Sequence, residues 1–150
     1  MNGVLRYDDR ASNRDWADVL ATFPLFVGVR KRQLRKLVRQ ASFAELARGE
    51  SVLLNGMDTD AFYVVLGGEA KMLRPTTRSI RTGDYFGEPG ILGGRPLPLH
   101  VVATRELHLM KLRRQPIIEL AQRHQRVTLT LLKDFGARLQ PATSGVKPIP

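Results

Sequence analysis

The chain has 150 residues, 43% of them hydrophobic and 25% charged, the mix of one globular domain with a core of its own. That excludes a disordered tail, a collagen-like repeat and a membrane bundle, since no run approaches the roughly 18 consecutive apolar residues a spanning helix needs. The absence of cysteine excludes disulfides, thiolate catalysis and cysteine-held zinc or iron–sulfur sites, while 24 Lys+Arg against 14 Asp+Glu (+10) attract polyanions without naming one.

Residues 1–11 read as an N-terminal tail and 12–140 as one domain. The opening, Met1 to Arg14, is polar and carries Asp8 and Asp9, unlike a signal peptide, so a cytoplasmic location is expected. Ser12 or Asn13 can cap a short helix with Trp16, Val19, Leu20 and Phe23 on one face, broken by Pro24. A second helix, Arg30 to Ala41, sets Leu34, Leu37 and Val38 at three-and-four spacing. Its other face is Arg30, Lys31, Arg32, Arg35, Lys36 and Arg39. The run Arg30–Arg39 reads first as a solvated helix face, with nucleic acid or an anionic membrane surface as less favoured partners.

From about Phe43 to Leu112 the period changes. Short apolar runs alternate with turn signals: Ser51–Leu54, Asn55-Gly56, Ala61–Leu66, Gly67-Gly68, Glu69–Arg74, Thr77–Arg81 and Gly83-Asp84. Strands of this length and spacing indicate an antiparallel sandwich or barrel. Gly67-Gly68, between Phe62–Leu66 and Ala70–Leu73, is expected to close a hairpin. Leu99–Arg105 and Leu107–Leu112 complete the set, with Leu107, Leu109, Met110 and Leu112 in the core.

Helix then returns. Gln115-Pro116 opens one carrying Ile117, Ile118, Leu120 and Ala121, because proline suits a first turn. Gln125 to Leu139 carries Val127, Leu129, Leu131, Leu132, Phe135 and Leu139 and is expected to stop at Pro141, with residues 141–150 a disordered tail. The fold class is mainly β with flanking helices (α+β), in the order helix, β-roll, helix.

The chemistry concentrates in Gly83 to Ala103. Gly87 permits a tight turn, and Glu88–Leu92 reads as one helical turn between strands. The unpaired amides of such a turn suit a phosphate, and a carboxylate beside them accepts hydrogen bonds from a hydroxyl. A ribose phosphate asks for that pair of features.

Here the chain resembles the cyclic nucleotide-binding domain family, the fold of catabolite activator proteins, protein kinase A regulatory subunits and nucleotide-gated channels. The resemblance runs from about Trp16 to Leu139. It rests on Phe23-Pro24-Leu25-Phe26, Gly49-Glu50, Asn55-Gly56-Met57-Asp58, Phe62-Tyr63-Val64-Val65 with Gly67-Gly68-Glu69, and Gly83-Asp84-Tyr85-Phe86-Gly87-Glu88, in that order and spacing. It implies a jelly-roll (double-stranded β-helix) with N-terminal helices and C-terminal lid helices. By resemblance Glu88 holds the ribose hydroxyl and amides near Gly87, Pro89, Gly90 and Ile91 meet the phosphate. Pro96, Val101 and Ala103 match the closing part of the cassette. The ligand implied is cyclic AMP, with cyclic GMP or no ligand as alternatives, and no cofactor or metal.

The departures fall in between. Leu97 stands where the family has its phosphate-binding Arg, Pro98-Leu99-His100 replace small and hydroxyl residues, and Pro89 removes one amide. Loss of one charge-assisted hydrogen bond weakens binding by about 10- to 150-fold. Two residues can compensate: Arg95, about 6.5 Å back along an extended segment from Leu97, and His100, at the family's hydroxyl position. Alternatively, Leu97 and Leu99 fill the pocket and Arg95 faces solvent. Phe135, Arg123 and Arg126 are candidate lid residues over the base.

A cupin-type metalloenzyme needs clustered His and Glu on adjacent strands, whereas His100, His108 and His124 are isolated in sequence. No nucleophile elbow or Walker loop is present, so a non-enzyme is expected. The early helix end at Pro141, with no helix-turn-helix after it, speaks against a sequence-specific DNA regulator of the activator type. Two readings remain. One is a stand-alone nucleotide receptor that signals through its last helices to an unidentified protein, with a homodimer left open. The other is a degenerate domain that docks a protein or polyanion on its basic face.

Overall fold

The computed structural model describes residues 6–7, 15–54, 61–74, 76–87 and 99–144. Within them the chain runs β1 (Arg6–Tyr7), α1 (Trp16–Leu20), a 3₁₀ turn (Pro24–Phe26), α2 (Lys31–Arg39), β2 (Ser42–Leu46) and β3 (Ser51–Leu54). It continues β4 (Ala61–Gly67), β5 (Glu69–Arg74), β6 (Arg78–Arg81), β7 (Tyr85–Phe86), β8 (Leu99–Ala103), β9 (Leu107–Arg113), α3 (Arg114–Arg123) and α4 (Gln125–Ser144). The Asn55-Gly56 turn and Met57-Asp58 lie outside the described residues.

The strands form two antiparallel sheets, ordered β1-β2-β9-β4-β7 and β3-β8-β5-β6. Their facing sides enclose an apolar interior of Leu46, Val52, Tyr63, Val65, Met72, Ile80, Phe86, Leu99, Val101, Leu107 and Leu109. The five-stranded sheet is covered on its other side too, where Phe62, Val64, Leu66, Met110 and Leu112 pack under Leu20, Phe26, Leu34, Ile117 and Val127. Burial on both faces explains why Phe62–Leu66 is an unbroken apolar run. β8 instead alternates, with Leu99, Val101 and Ala103 buried and His100 and Val102 half-buried between them. The expected jelly-roll with flanking helices is what the chain forms.

Several local expectations are corrected. Gly67-Gly68 closes no hairpin: β4 pairs with β7 and β9, and β5 pairs with β6 and β8, so the chain crosses here between sheets. Gly68 adopts φ +93°, and a Cβ there would lie 2.0 Å from the Glu106 carbonyl oxygen. Glu69 then secures the corner, its carbonyl accepting the N–H groups of Thr104 and Arg105 at 3.0 and 3.2 Å. Two glycines signal a sharp corner without saying which layer the chain enters next.

At the N-terminus, Arg6 and Tyr7 pair with Glu45 and Ala44, placing a short strand within the residues read as tail. Ser12 and Asn13 lie outside the described residues; Asp15 occupies the N-cap of α1 without a side-chain capping bond. At the other end α4 passes Pro141 and reaches Ser144. A proline removes one hydrogen bond from a helix, at about 3 kcal/mol, which is a cost and not an absolute stop. Residues 145–150 are outside the described residues.

The cationic face of α2 is exposed, while Leu34 and Leu37 are buried beneath it. Lys31 bonds Asp18 and lies 3.9 Å from Asp15, tying α2 to α1 and holding the Asp18 carboxyl below its ordinary range. On α4, Val127 and Leu131 are buried, but Leu129 and Leu132 are 56% and 51% exposed. No described helix is long and apolar enough to cross a membrane.

Candidate functional site

The site is built outward from the turn between β6 and β7. Asp84 Oδ2 accepts the Arg81 N–H at 2.8 Å, closing the turn. The Gly83 N–H donates to the Val65 carbonyl at 2.9 Å, and the Val65 N–H to the Asp84 carbonyl at 2.8 Å. These bonds fall where the β4–β9 register shifts, between Val65 and Gly67, so a bulge in β4 receives the incoming chain.

β7 follows, two residues facing opposite ways. Phe86 points into the roll and stacks on Tyr63, centroids 4.8 Å apart and planes at 15°. Tyr85 points to the helical layer and stacks on Phe62 at 5.3 Å and 24°. The Tyr85 hydroxyl donates to Asp134 of α4 at 2.5 Å, and its carbonyl accepts Arg78 Nη2 at 3.2 Å. One residue thus joins the roll to the last helix.

Gly87 ends this segment at φ +98°, where an added Cβ would sit 2.6 Å from the Ala61 carbonyl oxygen. The left-handed backbone costs a substituted residue about 1–2 kcal/mol before any clash. Gly87→Ala is therefore expected to destabilise the domain by about 3 kcal/mol in urea denaturation. An unchanged midpoint would show that the corner can relax.

Gly87 leaves one sheet and Leu99 opens a strand in the other, so the segment between them crosses from layer to layer. Glu88, Pro89, Gly90, Ile91, Arg95, Leu97 and Pro98 lie outside the described residues. Leu99 is buried in the roll, in the same cluster as Phe86, Val101 and Ala103. His100 is half-buried on the opposite face of β8, with Leu53 and Arg74 as register partners. Of the lid candidates, Arg126 is exposed, Arg123 lines a groove with Gln33, Lys36 and Glu119, and the Phe135 side chain is not among those described. A cleft of about 680 Å³ lies beside that groove, lined by Gln40, Ser42, Lys111, Arg113 and Glu119.

The histidines are less isolated than their sequence spacing suggests. His108 lies with Nδ1 3.8 Å from Glu45 and Nε2 3.4 Å from Glu106, one ligand atom from each residue falling within 4.8 Å of the others. Glu45 is its register partner across β2 and β9, a proximity visible only once the strands pair. By alternation His108 shares a face with Met110 and Leu112, outside the roll, so this is no barrel-interior metal centre. His124 breaks the chain between α3 and α4, its Nε2 2.5 Å from Gln33 Oε1.

Sequence reasoning missed Arg78. It pairs with Met72, as Ile80 pairs with Ala70, which sets it on the interior face of β6. It is half-buried there, its Nε fully so, and its guanidinium reaches across to β7. The available signal was parity, since Arg78 is two residues from the apolar Ile80 in an alternating strand. Lys111, opposite Tyr63, is a second half-buried cation on the interior side, one strand further from β7.

Comparison with known proteins agrees with this geometry. The family profile described as "Cyclic nucleotide-binding domain" matches residues 43–124, from β2 to the end of α3. A potassium channel of Arabidopsis thaliana is 30% identical over 118 residues, covering 74% of this chain and 15% of the channel. A cAMP-dependent protein kinase regulatory subunit of Emericella nidulans is 29% identical over 99 residues, 63% of this chain and 24% of the subunit. The chain thus spans a quarter or less of these relatives. The regulatory domain of Toxoplasma gondii PKA, co-crystallised with cAMP, superposes with a TM-score of 0.69 at 21% identity, over 85% of this chain and 52% of that one. With its roll, its crossing segment after Gly87 and its helical cover all inside the matched region, the chain belongs to the cyclic nucleotide-binding domain family.

Proposed function

We propose that this chain is a cyclic nucleotide receptor module, with cyclic AMP as its ligand, that transmits occupancy through α3 and α4 and catalyses nothing. The observation that carries the reading is the Gly87 corner, which hands the chain to Glu88 at the crossing between the sheets. The naming of cAMP in the relatives and in the Toxoplasma structure favours that ligand. Glu88 receives the ribose hydroxyl and the amides from Gly87 to Ile91 receive the phosphate. Leu97 in the usual Arg position makes the affinity modest unless another donor serves, Arg95 and His100 being the local ones. Coupling requires a nucleotide that prefers one position of α4, because equal affinity for both shifts nothing. The exposed Leu129 and Leu132 offer a protein partner, or a second copy, an apolar foothold.

Calorimetric titration with cyclic AMP and cyclic GMP at pH 6 and pH 8 tests this. Saturable binding is expected, with Glu88→Gln lowering affinity by at least about tenfold. Absence of heat from folded protein at millimolar nucleotide would sink the receptor reading. A second reading, a module that docks an acidic protein or other polyanion, is favoured by one observation. Arg30, Arg32, Arg35, Lys36 and Arg39 are exposed, and none forms an ion pair with a described residue. Under that reading Glu88→Gln changes nothing and partner binding falls steeply with salt.

A further inference from the structure

We infer that Arg78 is the cation that receives the nucleotide's phosphate, an inference that rests on the receptor reading above. A cyclic phosphate is a permanent anion with two exocyclic oxygens, and a planar guanidinium matches such a group with two parallel N–H donors. Arg78 stands on the interior face of the four-stranded sheet, opposite Met72 and two residues from Ile80. Its Nη2 reaches the Tyr85 carbonyl at 3.2 Å, which places the guanidinium on the strand that leads, two residues later, into Gly87. A charge that never leaves its side chain is costly beside Met72, Ile80 and Phe86 unless an anion comes to meet it. The Tyr85 carbonyl takes one of five N–H donors and, being neutral, cannot balance the charge. Lys111 competes less well, because β4 separates its strand from β7 and an ammonium is a hydrated point charge without the bidentate fork.

The argument turns on charge and place. The cation sits on β6 and enters the crossing segment's surroundings from the opposite sheet. A receptor can thus keep phosphate recognition with leucine at position 97.

The test titrates the wild type, Arg78→Gln and Arg78→Lys with cyclic AMP by calorimetry, and with adenosine by ligand-observed NMR. Adenosine keeps the base and ribose and lacks the anion. Arg78→Gln is expected to weaken cyclic AMP by at least about thirtyfold while leaving adenosine within about threefold, and Arg78→Lys to recover part of the loss. Equal losses for both ligands, or glutamine and lysine variants that behave alike, would reduce Arg78 to a brace for Tyr85 and overturn the inference. Unaltered cyclic AMP affinity in Arg78→Gln overturns it as well, leaving the receptor reading intact. A wild type that binds no nucleotide overturns both.

Discussion

Gly68→Ala is expected to cost at least about 4 kcal/mol, a large share of the 5–15 kcal/mol that holds a typical domain together. The left-handed backbone at φ +93° accounts for about 1–2 kcal/mol. The rest is collision. The new methyl would lie 2.0 Å from the Glu106 carbonyl oxygen and 2.9 Å from both the Glu106 carbonyl carbon and Leu107 Cα. All three are backbone atoms, so no side chain can rotate away. Leu107 begins β9, which is paired to β2 on one side and β4 on the other, so relief would shift the middle of the five-stranded sheet. Urea denaturation decides it: a midpoint near that of the wild type would mean the corner slides without disturbing β9.

Phe86→Ala is expected to cost about 3–5 kcal/mol, the range for deleting a fully buried phenylalanine. Phe86 is fully buried and stacked on Tyr63, its own register partner. The loss reaches further than the cavity, because β7 has two residues and Phe86 is its anchor inside the roll. Removing that ring frees Gly87 as well, so nucleotide binding should fail at temperatures where the helices still show by circular dichroism. Phe86→Leu, which refills most of the space, is expected to recover over half the stability. Leu132→Ala is the contrasting control: its side chain is 51% exposed, and a shift within about 0.5 kcal/mol is expected. Comparable losses from Phe86→Ala and Leu132→Ala would refute this account of β7.

The strands were legible because their periodicity is strong and local. Ser51–Leu54 and Leu107–Leu112 fall where the apolar runs placed them, and Phe62–Leu66 showed its double burial as an unbroken run. What failed was information that pairing alone supplies. Gly67-Gly68 announced a corner, yet only the partners of β4 and β5 show that it joins two sheets. Glu45 and His108 are far apart in sequence and neighbours across β2 and β9. Gly87 was legible as a turn, since a glycine before a charged residue between strands has few other uses. Arg78 was not, because a charged residue in a short strand ordinarily faces water, and its inward parity emerges only from the opposing Met72. Pro141 misled because its penalty was treated as a boundary.

Tyr85 spans the whole thickness of the five-stranded sheet. Its carbonyl receives a guanidinium from the opposing sheet, its ring lies on Phe62, and its hydroxyl ends on Asp134. Mechanically the residue is a stiff rod through a wall, with only two side-chain torsions to absorb movement at either end. A strand of two residues has no neighbouring turns in which to dissipate a displacement. Any tilt of β7 must therefore reappear at Asp134, or else break the bond there, and the sheet itself supplies no slack between the two.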